Sequence, residues 1–225
     1  MNHEIVLCGI QHKTNESNSG GNQGILDDCS REYFDLNIAS EIDSDSILLL
    51  EGMSSTIRPG TRDYDWLLAC TGSVLASSMA RPLIVGFDQR TKKFQQNLRH
   101  SRVAQLVTRL KVRFLDVPQT YEEVLELIRA GGGAYKVISP LSLEESKSVK
   151  IMQRNNVEFD KCCIRALHQY PDRKRFVVAG LGHCLRIHLE KGWRLEITVP
   201  KILESKEHAL ALYEVYFYMY LWDAK

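Results

Sequence analysis

Val6-Leu7-Cys8-Gly9-Ile10-Gln11-His12 and Val177-Val178-Ala179-Gly180-Leu181-Gly182-His183 stand near the two ends of the chain. Each is a short apolar run of strand type that stops at a glycine and presents a histidine three residues after it. Such runs suit strands buried on both faces, as in a parallel sheet. Glycine tolerates the positive φ or the close backbone approach needed where a strand gives way to its covering helix. Each histidine is then expected on the lip of the sheet, where open α/β sheets bind ligands outside the carboxyl ends of their strands. One G-x-x-H is a weak signal; two, both preceded by strands, carry more.

Between them the same pattern recurs. Ser46-Ile47-Leu48-Leu49-Leu50-Glu51-Gly52 reads as a second strand ending in an acid. Pro82 introduces Leu83-Ile84-Val85-Gly86-Phe87-Asp88, a third, with Arg90 close behind, and Val112 to Asp116 reads as a short further strand. Helical spacing links Leu26, Tyr33, Phe34 and Ile38, and recurs over 61–80 and over 96–110. Thr120 with Glu123 has the form of a capping box. Gly131-Gly132-Gly133 breaks the helix that follows it, and Ser142 with Glu145 opens another that extends, whole or interrupted, toward Leu167, closed by Pro171. A short helix from Cys184 is expected to stop at Gly192, and Trp193 to Val199 alternates as an outer strand. The fold class is therefore α/β: a central, mostly parallel sheet flanked by helices, in two pseudo-repeated strand-GxxH halves, forming a single domain over 1–225.

Composition narrows the function. With 29 Lys plus Arg against 28 Asp plus Glu, the formal net charge is +1, so nothing global points to nucleic acid or an anionic membrane. The six cysteines form no C-x-x-C pair and lie mostly in apolar segments, as reduced thiols of a cytoplasmic protein do. No signal peptide is visible, and no transmembrane segment is expected. The polar, glycine-rich 13–24 reads as a plain connection or a cover over the crevice. The aromatic 208–222 reads as a buried helix or a surface for homo-oligomer formation.

The strand ends collect His12, Glu51, Asp88 with Arg90, and His183. Two imidazoles with one or two carboxylates suffice to bind a divalent metal such as Zn, Mn or Co with open water positions. Such an ion lowers the pKa of bound water and polarises a carbonyl or phosphoryl oxygen. A remaining carboxylate can act as general base, and arginine can hold an oxyanion. Taken singly, each of these residues also has a plain structural use, as a cap, a turn residue or a salt-bridge partner. Asp116, His3, His100, His168, His188 and His208 read as structural.

In this order the residues resemble the TraB/PrgY/GumN superfamily, which includes the Tiki proteases and to which erythromycin esterase and ChaN haem-binding proteins look distantly related. The resemblance rests on Gly9 to His12, on Glu51 in Leu-Leu-Leu-Glu-Gly, on Asp88 and Arg90, on Arg154-Asn155, and on Gly180 to His183, over nearly the whole chain. Two departures are Gln89, which separates Asp88 from Arg90, and Gln11, which stands where Thr or Ala is usual. The resemblance implies one Tiki/TraB-like α/β domain. It further implies a metal-dependent hydrolase, most like a metallopeptidase, with Mn or Co favoured and a peptide or small molecule as substrate. His12, Glu51, His183 and Asp88 would serve the metal, with Glu51, Arg90 and Arg154 catalytic. Two rivals use the same fold without catalysis: capture of haem or a peptide, and regulation of a partner.

Overall fold

The apolar runs form five strands: β1 (Ile5–Ile10), β2 (Ile47–Leu50), β3 (Leu83–Gly86), β4 (Arg175–Gly180) and β5 (Arg194–Ile197). In the computed structural model, which describes residues 4–10, 28–88 and 143–198, they make one sheet in the order β3-β2-β4-β1-β5. Every neighbouring pair is parallel. The burial of β2 explains its place: all four residues are apolar and buried, which suits a strand with neighbours on both sides and helices on both faces. β5 is only partly buried over its first three residues, and it takes the edge beside β1.

By chain contacts the molecule divides into two compact units, residues 1–89 with 160–200 and residues 90–159 with 201–225. The sheet belongs to the first. In the first unit, α1 (Asp28–Asn37), a 3-10 turn (Ala39–Glu41), α2 (Arg62–Thr71) and α3 (Ser73–Ser77) share a core with one face of the sheet. Phe34, Ile38, Tyr64, Leu68 and Leu75 pack there with Val6, Cys8, Leu48, Leu50, Phe176 and Val178. The opposite face carries Leu7, Gly9, Leu49, Val177 and Ala179, by strand alternation. On it lies α5 (Leu181–Lys191), for a Cβ at Gly9 would lie 2.5 Å from Leu181 Cδ1 and 3.5 Å from Cys184 Cβ. Contacts of Asp160 with His183 and Arg186 tie the end of α4 (Leu143–His168) to α5. In the second unit, the described part is the 143–159 stretch of α4.

The connections explain which helices cover which face. β1 to β2 and β2 to β3 step toward the β3 edge, whereas β4 to β5 steps the other way, over β1. With a constant crossover hand, opposite steps put their helices on opposite faces. β2 and β4 are neighbours whose outgoing chains diverge, and it is at such a switch point that open α/β sheets bind ligands outside the carboxyl ends of their strands.

Several expectations change. β1 does not stop at its glycine but continues through Gly9 to Ile10, and Gly9 serves close packing beneath Leu181. Gly180 has φ −50°, so the turn out of β4 uses no left-handed residue. α5 starts at Leu181, earlier than the Cys184 expected, because Leu181 settles directly on Gly9. The helix over 61–80 is two helices that meet at Gly72. α4 runs unbroken to His168, and Gly192 ends α5 as expected. Among the described residues no helix is long and apolar enough to cross a membrane. The expected strand at 112–116, the helices over 96–110 and after Thr120, the Gly131 break, the 13–24 connection and the aromatic 208–222 lie outside the described residues.

Candidate functional site

Glu51 directly follows β2 and prolongs it, its N–H donating to Val178 O at 3.0 Å. Its side chain continues the alternation of β2 toward the α5 face. There Glu51 Oε2 accepts from Gly180 N at 2.7 Å, from the end of β2 to the end of β4. Gly180 is the residue from which α5 departs, so the carboxylate sits at a helix N-terminus, where the field of the peptide dipoles favours negative charge. The carboxylate is buried. Gly52 then takes φ 82°, a left-handed value that suits glycine and turns the chain away at once.

Asp88 is buried at the other side of that turn. Its Oδ2 accepts from Gly52 N at 3.1 Å, and its own N–H donates to Met53 O at 2.7 Å. It therefore ties the chain leaving β3 to the chain leaving β2, immediately behind Glu51.

His183 lies in the first turn of α5, not on a loop beyond the sheet, and is buried. Its Nδ1 is 3.2 Å from Asp160 Oδ1, and the second oxygen of Asp160 accepts from Arg186 Nε at 2.7 Å. Asp160 is buried on α4. Cys163, one turn further along that helix, lies in the fields of both the Asp160 and Glu51 carboxylates. Burial first, and then these carboxylates, push its thiol well up; burial, neighbouring thiols and Glu51 do the same to Cys184. Neither thiol is a ready nucleophile at neutral pH.

The strand ends thus bring Glu51 to the head of α5, one turn from His183, with Asp88 bracing the turn behind it. Arg154 is exposed on α4, within the second unit. His12 and Arg90 lie outside the described residues. His168 is exposed, and His188 Nδ1 is 2.6 Å from Trp193 O, a structural contact at the end of α5. Asp160 and Arg186 were not singled out in the sequence. The signal was present, since Asp160 shares a helical stripe with Cys163 and Leu167 and is the charged member of that apolar stripe.

Carboxylate and imidazole are the donors that Mn, Co and Zn accept. Among the described residues no group of three or more His, Cys, Asp or Glu is arranged to hold a metal ion. Glu51 and His183 would need a third donor from elsewhere in the chain, and His12 is the candidate, two residues past the end of β1 in sequence. Comparison with protein-family models, curated proteins and solved structures finds no match to this chain.

Proposed function

We propose that this chain is a divalent-metal-dependent hydrolase of peptide or other acyl bonds, on a fold of the Tiki/TraB kind with two strand-GxxH halves. The observation that carries the reading is the Glu51 carboxylate reaching from β2 to Gly180 N at 2.7 Å, at the divergence of β2 and β4 and one turn from His183. The resemblance built on Gly9 to His12, Glu51 and Gly180 to His183 supports the same assignment.

In this reading His12, Glu51 and His183 would hold Mn, Co or Zn, and the ion would supply Lewis acidity and lower the pKa of water toward neutrality. Glu51 stands against a peptide N–H, which fixes the direction of its carboxylate, and a carboxylate so placed has the chemistry to take a proton from water. His183 is held within a helix rather than on a loop, so its imidazole is pre-positioned. Asp88 keeps the turn behind Glu51 closed through Gly52 N.

The test is hydrolysis of a panel of peptides, amides and esters by the full chain with Mn(II), Co(II) or Zn(II). Activity that disappears with chelator, returns with one ion and is lost in His183→Ala is the expected result. Turnover indifferent to chelator and to that substitution, or no turnover of any substrate, would remove the reading.

A further inference from the structure

Building on the assignment of His183 as a working imidazole, we propose that Asp160 is its positioning residue, holding the ring in the Nδ1–H tautomer while Arg186 locks the carboxylate. An ionised carboxylate only accepts hydrogen bonds, so the 3.2 Å contact between Asp160 Oδ1 and His183 Nδ1 places the ring proton on Nδ1. The lone pair is then on Nε2, the nitrogen that can ligate a metal or take a proton from water.

Asp160 is itself fixed. Its second oxygen accepts from Arg186 Nε at 2.7 Å, so its two oxygens serve two donors spaced i, i+3 on one face of α5. Rotation of the carboxylate would cost one contact or the other. Arg186 is in turn 3.9 Å from Glu190, on the next turn of the same helix. Asp160 and His183 are both buried, where a hydrogen bond between them is electrostatically stronger than in water. Because the carboxylate comes from α4 and the imidazole from α5, the orientation of the ring depends on the packing of two helices. A carboxylate behind an imidazole is also what fixes the tautomer of metal-ligating histidines.

The test is the ¹⁵N spectrum of the histidine rings in the full, metal-free chain, at a pH where they are neutral, with His183→Gln to identify the signal. A pyrrole-type Nδ1 and a pyridine-type Nε2 in the wild type are expected, with Asp160→Ala moving His183 toward the opposite tautomer. A wild-type ring protonated on Nε2, or a tautomer unchanged in folded Asp160→Ala, would overturn the assignment. The wild-type spectrum decides this even if the variant does not fold. In the same preparations, affinity for Mn(II), Co(II) or Zn(II) is expected to fall ~10–100-fold in Asp160→Ala. Wild-type protein with Nδ1 protonated that binds none of these ions would support the Asp160 assignment and remove the hydrolase reading instead.

Discussion

A side chain at position 9 would run into α5. An added Cβ would lie 2.5 Å from Leu181 Cδ1 and 3.3 Å from Leu181 Cα, and the second atom belongs to backbone that cannot swing aside. Gly9→Ala is therefore expected to destabilise the fold by about 1–3 kcal/mol, the usual range for overpacking, with a lower denaturant midpoint and an unchanged m-value as the readout. Because Leu181 opens the helix that carries His183, the same variant should also weaken whatever binds at that histidine. At this scale the sequence was partly legible. Gly9, Glu51, Asp88 and His183 stood out because a strand-end glycine, acid or histidine breaks an apolar run. Asp160 did not, because one carboxylate on the apolar stripe of a helix does not name the histidine it will meet.

Helix α3 depends on a residue from another element. Asp35 of α1 accepts from Ser73 N at 2.9 Å, from Val74 N at 3.0 Å and from Ser73 Oγ at 2.5 Å, and so satisfies the first amides of a five-residue helix. Such a short helix has little stability of its own. Asp35→Ala is expected to cost about 1 kcal/mol, as loss of a helix cap does, measured by chemical denaturation. Here lies the reason that 61–80 reads as one helix from sequence: its apolar spacing is continuous, while the cap that lets a second helix begin after Gly72 comes from thirty-eight residues away. The strands fared better. Leu48 to Leu50 and Val177 to Ala179 are apolar on both faces, and only an interior strand suits that pattern. Their order was not legible, since local periodicity says nothing about which strand pairs with which.

Over the whole sheet the two ends do different things. The carboxyl end gathers Glu51, Asp88 and His183, while the amino end is tied by ion pairs around Glu41. Glu41 bonds Lys174 at 2.9 Å and Arg194 at 2.8 Å, and Arg194 also meets Glu4 at 3.3 Å, so the segments entering β1, β4 and β5 share one network. The hydrogen bond from Arg194 is the largest cause holding the Glu41 carboxyl down at about 2, against an ordinary 4.5. A lowered carboxyl pKa stabilises the fold fully above the unfolded value and loses that effect as pH falls from about 4.5 toward about 2. Thermal unfolding across that window should show a steeper acid loss in the wild type than in Glu41→Gln, by on the order of 1 kcal/mol for partly exposed pairs, and less at high salt. At the other end, the central claim is that Glu51, His183 and His12 form one metal site. Its most direct test is the metal content of the full chain, purified without chelator or histidine tag, beside Glu51→Gln, His12→Ala and His183→Ala. Near-stoichiometric Mn, Co or Zn in the wild type, lost in all three folded variants, is the predicted result. Metal-free wild type that also fails to bind added ions, or binding that survives all three substitutions, would contradict it.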